Sequence, residues 1–150
     1  MTFSKKGRPV AAQAQESTVS RNGRTALVVE DDPDLRGLVR RHLEAMGMQV
    51  TEVAEGRAAI LHVAVNKPDL VCLDLMLPEL SGYEVCQFMR GEARLRGVPI
   101  LIMSARGLPQ DRAYAEQVGA STYLVKPFKR HVFAAAVKEL IGNLAEETRS

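Results

Sequence analysis

Between Thr25 and Leu144, apolar runs of strand length alternate with stretches of helical period, and this alternation leaves few architectures open. Ala26-Leu27-Val28-Val29 is a continuous apolar run, the mark of a strand covered on both faces. Leu35, Leu38, Val39, Leu43 and Met46 then recur at three- and four-residue intervals between Pro33 and Gly47, which predicts an amphipathic helix. The same pair repeats down the chain. Further strands are expected at Met48 to Val53, Asp69 to Leu73, Val98 to Met103 and Thr122 to Val125, with helices at Glu55 to Val65, Tyr83 to Arg90 and Pro109 to Val118. The last helix has the cleanest stripe, made by Phe133, Ala136, Val137, Leu140, Ile141 and Leu144. Strands separated by helices pair in parallel through right-handed crossovers, so the expected fold is α/β, a doubly wound five-stranded parallel sheet with five helices.

A chain of 150 residues has room for one such domain, expected here at residues 25–145, with a short tail at 146–150. Residues 1–24 have no apolar period, contain Pro9 and Gly23, and hold five Lys or Arg side chains against one acid, so they are expected to form a disordered basic extension. The net charge of +2 therefore comes from this extension and not from a basic domain face, which argues against direct nucleic-acid binding. No apolar run approaches the roughly 18 residues of a membrane span, and the two cysteines, Cys72 and Cys86, sit in apolar surroundings unsuited to a disulfide scaffold or a zinc site. A cytoplasmic location is expected.

In open parallel sheets, ligands bind beyond the carboxyl ends of the strands. Glu30-Asp31-Asp32 follows the first strand, Asp74 the third, Ser104-Ala105 the fourth and Lys126-Pro127 the fifth. Two carboxylates about 4 Å apart repel by roughly 4 kcal/mol at an effective dielectric of 20, so such a cluster needs a cation or a raised pKa. A few oxygen ligands with room for water favour Mg²⁺. The same residues argue against nucleotide binding: the loop after the first strand is acidic where a phosphate cradle needs glycines or Ser/Thr, and no glycine-rich phosphate motif occurs.

Leu27-Val28-Val29-Glu30-Asp31-Asp32, Leu73-Asp74-Leu75-Met76-Leu77-Pro78-Glu79-Leu80-Ser81-Gly82, Ile102-Met103-Ser104-Ala105 and Tyr123-Leu124-Val125-Lys126-Pro127-Phe128 together resemble the receiver domain of bacterial two-component response regulators, a flavodoxin-like fold. The resemblance implies that Asp74 accepts a phosphoryl group from a phosphohistidine. It further implies that Asp31 and Asp74 bind Mg²⁺ with the backbone carbonyl of Met76, that Glu30 acts through water, and that Ser104 and Lys126 contact phosphoryl oxygens. Glu30 stands where many relatives carry Asp. Asp32 is expected to cap the following helix. Met76, Ala105 and Arg106 would border the acyl phosphate and govern access of water, with Met76 slowing hydrolysis. Ser104 and Tyr123 would form the switch pair, and Lys126-Pro127 would be a cis peptide.

The implied protein is no classical enzyme. It is expected to be a stand-alone switch, since little chain follows the last helix, and to act by protein contact through the surface of the fourth helix, fifth strand and fifth helix. Its partners would be a sensor histidine kinase or phosphotransfer protein and a downstream protein target. It would be a monomer or a phosphorylation-dependent homodimer, although relatives that dimerise through that surface usually carry an acidic pair where this chain has Ser121-Thr122. Two other readings stand beside it: a pseudo-receiver scaffold that is never phosphorylated, and a Mg²⁺-dependent aspartyl-phosphate hydrolase of the haloacid-dehalogenase type. That hydrolase family places an acid two residues after its nucleophile, where this chain has Met76. His42, His62 and His131 lie on three different helices and are expected at surfaces or grooves. Arg90, Arg94 and Arg96 are expected in a solvated loop.

Overall fold

A computed structural model of the chain describes the backbone of residues 23–149 and the side chains up to residue 142. The expected extension at 1–24 therefore lies outside the described residues except at its end, where Arg24 already opens the first strand. The elements run β1 (Arg24–Val29), α1 (Pro33–Ala45), β2 (Met48–Val53), α2 (Gly56–Val65), β3 (Leu70–Asp74), α3 (Gly82–Gly91), a 3₁₀ turn (Ala93–Leu95), β4 (Ile100–Ser104), α4 (Pro109–Gln117), β5 (Thr122–Val125) and α5 (Arg130–Arg149). All pairings are parallel, in the order β2-β1-β3-β4-β5. The expected doubly wound sheet of five strands and five helices is what the chain forms.

Strand periodicity divides the core in two, because successive side chains leave a strand on opposite faces. Leu27, Val29, Val71, Leu73, Ile100 and Ile102 point to the face covered by Ala59 and Val63 of α2, Val85 and Met89 of α3 and Ala115 of α4. Ala26, Val28, Leu70, Cys72, Leu101 and Met103 meet Val39 and Leu43 of α1 and Phe133 and Val137 of α5 on the other face. Every residue of β3 and β4 is buried, which is why these strands read as unbroken apolar runs. Cys72 and Cys86 are free, buried core residues.

The boundaries shift for identifiable reasons. Strand β4 starts at Ile100 and not at Val98, since Pro99 has no N–H to give to a ladder. Asp69 precedes β3 because its carboxylate accepts the Thr25 N–H at 2.8 Å. The arginine-rich segment is solvent-exposed at Arg94 and Arg96, as expected, but it is not loose. Its 3₁₀ turn buries Leu95, while the Arg94 guanidinium bonds the carbonyls of Val63, Ala64 and Asn66 at the end of α2, and Arg90 bonds those of Leu95, Arg96 and Gly119. Helix α5 runs to Arg149, past the expected domain end at 145, as Ala145, Glu146 and Glu147 are good helix formers.

Candidate functional site

The site is built where β1, β3, β4 and β5 end. Glu30 leaves β1 still held to the sheet, its N–H donating to the Val53 carbonyl at 3.1 Å, and its side chain is 1% exposed. Asp31 follows in the open. Asp32 turns away to cap α1, accepting the Asp34 N–H at 3.0 Å with Pro33 in the first turn, as its helix-cap reading expected. Asp74 is the last residue of β3 and 3% exposed; its Oδ1 accepts the Met76 N–H at 3.0 Å, which fixes the carboxylate relative to its own loop. That loop closes into α3 through a capping box, Ser81 Oγ accepting from Glu84 N–H while Glu84 Oε1 accepts from Ser81 N–H.

Oxygen atoms from Glu30, Asp31 and Asp74 lie within 4.8 Å of one another. Across from them, the Lys126 ammonium donates to Glu30 Oε1 at 2.9 Å and lies 3.4 Å from Asp74 Oδ2. The Lys126-Pro127 peptide is cis, and Lys126 N–H pairs with the Ser104 carbonyl at 2.8 Å, so β5 delivers its lysine beside β4. Ser104 is fully buried, its hydroxyl accepting the Arg106 N–H at 3.1 Å and keeping its own proton to donate. Tyr123, on β5, is half-buried, and its hydroxyl donates to the Arg106 carbonyl.

Burial pushes the Glu30 carboxyl up to about 7, against the opposing bonds from Lys126 and the Asp32 N–H. Burial also works against the Lys126 charge, but its bond to Glu30 and the field of Asp74 more than offset this and raise its pKa. Three carboxylates facing one ammonium leave net negative charge in a small space, and all the side-chain donors facing the gap are hard oxygens. That donor set fits a small divalent cation with some of its waters.

Of the expected site residues, Glu30, Asp31, Asp74, Ser104 and Lys126 converge on one edge of the sheet. Met76 is half exposed beside Asp74, and Ala105 and Arg106 are exposed at the rim. The Arg106 guanidinium turns to Asp111, bonding its Oδ1 at 3.1 Å. Asp111 is buried and escaped notice in the sequence; an acid in the first turn after Leu108-Pro109 was the available signal. His42 packs on Phe133, His62 meets Asn66 at the end of α2, and His131 is exposed on α5.

The profile of a family described as response regulator receiver domain matches residues 26–138. Among curated proteins, the chain is 36% identical over 115 residues to the DNA-binding dual master transcriptional regulator RpaA of Synechocystis, covering 77% of this chain and 48% of that one. It is 37% identical over 123 residues to the phosphate regulon transcriptional regulatory protein PhoB of Rhizobium meliloti, covering 82% and 54%. The chain thus spans about half the length of the curated relatives it matches. Among solved structures, it is similar to the signal receiver domain of a signal transduction histidine kinase from Syntrophus aciditrophicus, with a TM-score of 0.74, 32% identity, and coverage of 80% and 91%. The receiver domain of a sensor histidine kinase from Pseudomonas aeruginosa, which has a magnesium ion coordinated in its active site cleft, matches with a TM-score of 0.74, 34% identity, and coverage of 80% and 98%.

Proposed function

The chain belongs to the response regulator receiver domain family, and from that premise we propose that Asp74 takes the phosphoryl group from a phosphohistidine of a sensor kinase or phosphotransfer protein. A carboxylate oxygen of Asp74 bonds to phosphorus, the P–N bond breaks, and the imidazole nitrogen keeps the electron pair. Phosphoryl transfer of this kind needs positioning and charge neutralisation more than covalent assistance. The single observation that carries the reading is the convergence of Glu30, Asp31 and Asp74 with an ammonium in reach of two of them.

The cofactor is Mg²⁺, which when bound shields the charge on the phosphoryl oxygens; the carboxylates of Asp31 and Asp74 and the Met76 carbonyl would hold it, with Glu30 acting through water. Lys126 neutralises the acceptor and then pairs with a phosphoryl oxygen. Ser104, with its hydroxyl proton free, donates to another. The unit is a phosphoacceptor switch acting on itself and not an enzyme with a turnover substrate.

Phosphorylation adds about −1.5 to −2 charge and strong acceptor oxygens, enough to draw the Ser104 hydroxyl inward and release Tyr123 into the space behind it. The surface of α4, β5 and α5 changes, and a downstream protein reads it. Among the described residues no helix is long and apolar enough to cross a membrane. Two free, buried cysteines agree with work in the cytoplasm. The domain limits of 25–145 and a stand-alone mode of action, as monomer or phosphorylation-dependent homodimer, belong to the same proposal; intact mass of the native polypeptide tests the second.

Intact mass after incubation with Mg²⁺ and a small acyl-phosphate donor tests the proposal. A metal-dependent phosphoryl adduct is expected on the chain and absent from Asp74→Asn. No adduct, together with no response to beryllofluoride, would overturn it in favour of the pseudo-receiver scaffold.

A further inference from the structure

Asp111 is a buried carboxylate that the phosphoryl chemistry does not use. It lies in the first turn of α4, 5% exposed, with Oδ1 accepting from Arg106 Nε at 3.1 Å and Oδ2 accepting from the Leu108 N–H at 3.2 Å. A carboxylate at that depth requires such partners. Its cation does not come from α4 or the sheet but from the loop that follows Ser104.

Arg106 has three separate attachments. Its N–H donates to Ser104 Oγ at 3.1 Å, its carbonyl accepts from the Tyr123 hydroxyl, and its guanidinium holds Asp111. One residue therefore touches the hydroxyl beside the acceptor, the aromatic of β5, and the first turn of α4. The next residue of α4, Arg112, lies over the Tyr123 ring with Cζ 5.1 Å from the centroid, closing the circuit.

We propose that Asp111 is a positioning residue of the switch, which by gripping Arg106 makes α4 follow the movement of Ser104. When Ser104 turns its hydroxyl toward a phosphoryl group on Asp74, the N–H of residue 106 is carried with it. The ion pair then draws the α4 N-terminus along. Without the pair, α4 is joined to the loop through the backbone of Gly107, Leu108 and Pro109 and, less directly, through Arg112 on the Tyr123 ring, and the φ and ψ of Gly107 and Leu108 can absorb the displacement. The inference rests on the phosphoacceptor reading of Asp74 and goes beyond it by naming what transmits the movement to α4.

The test uses the full chain with Mg²⁺ and beryllofluoride as the phosphoryl mimic, read by amide chemical shifts. Asp111→Asn keeps an oxygen for the Leu108 N–H and removes the ion pair. In it the amides of residues 30–32 and 74–77 should shift as in the unsubstituted chain, while those of α4 shift less by about twofold or more. Asp111→Glu, which keeps the carboxylate, should restore part of the α4 response. Arg106→Gln, at a half-exposed side chain that leaves the core intact, should reduce it as Asp111→Asn does, and the double variant should be no worse than either single. A full α4 response in Asp111→Asn, or additive losses in the double variant, would overturn the inference alone. Unmoved amides at 30–32 and 74–77 in the unsubstituted chain would overturn the phosphoacceptor reading, and this inference with it.

Discussion

Gly82 stands directly behind Asp74: a Cβ on Gly82 would lie 2.4 Å from the Asp74 carbonyl oxygen and 2.8 Å from Leu75 Cα. Helix α3 starts so close to the strand bearing the acceptor that no side chain fits between them. Gly82→Ala should therefore destabilise the fold by about 1–3 kcal/mol through overpacking and slow phosphorylation by displacing Asp74. At Gly91, where an added Cβ meets nothing within 4 Å, alanine should leave stability unchanged or raise it by up to about 1 kcal/mol. Urea unfolding of the two variants compares them, and coincident midpoints would refute the argument.

Glu30 should make metal binding pH-dependent. Its carboxyl is raised to about 7 from an ordinary 4.5 by burial, and the proton must leave before the group can serve a cation. Mg²⁺ affinity should fall about tenfold from pH 8 to pH 6, and Glu30→Gln should remove the step. For the metal-free fold the sign is opposite. A carboxyl whose folded value exceeds its unfolded one contributes stability that is complete below 4.5 and lost as pH rises through about 7. Calorimetric Mg²⁺ titrations and metal-free thermal melts across this window check both.

Lys126 is the counter-charge of two buried acids, 2.9 Å from Glu30 and 3.4 Å from Asp74. Lys126→Met should cost about 2 kcal/mol in metal-free buffer, because it leaves the carboxylates uncompensated. Mg²⁺ should restore part of the loss in a thermal melt of the variant. A destabilisation indifferent to the metal would assign Lys126 a packing role instead.

Arg90 ties three carbonyls, those of Leu95, Arg96 and Gly119, to the end of α3. Truncation to alanine removes bonds from a charged donor in a half-buried setting and should cost about 2 kcal/mol by urea unfolding. Arg96→Ala, which removes a single exposed side chain bonded to the Arg90 carbonyl, should cost less.

Met76 is proposed to set the lifetime of the phosphoform. It is 53% exposed beside Asp74, and its apolar side chain offers an attacking water no hydrogen-bond partner. Met76→Asn should shorten the lifetime several-fold, measured by loss of the phosphoryl mass in Mg²⁺ buffer. A lifetime unchanged or prolonged by asparagine would rule that account out.

The sheet was legible from the chain because β3 and β4 are buried on both faces, which leaves continuous apolar runs of strand length bounded by Pro, Asp or Ser. The site was legible for a related reason: its acids, hydroxyl and lysine each sit where such a run stops. The bonds of Arg90 and Arg94 were not legible, because a basic cluster in a glycine-rich turn does not disclose which distant carbonyls its side chains will reach. Asp111 was missed for the same cause. Its burial depends on Arg106, five residues away, turning back from the site, and that choice belongs to tertiary packing.

The four strands that end at the site are far apart in sequence, with Glu30 and Lys126, bonded to each other, 96 positions apart. Contacts of such separation cost the most loop entropy to make. The acceptor carboxylate therefore has no ammonium beside it until β5 is docked, and a half-made or half-unfolded chain offers a kinase an aspartate without its counter-charge. On the proposed reading, competence to be phosphorylated would double as a certificate that the last strand is in place.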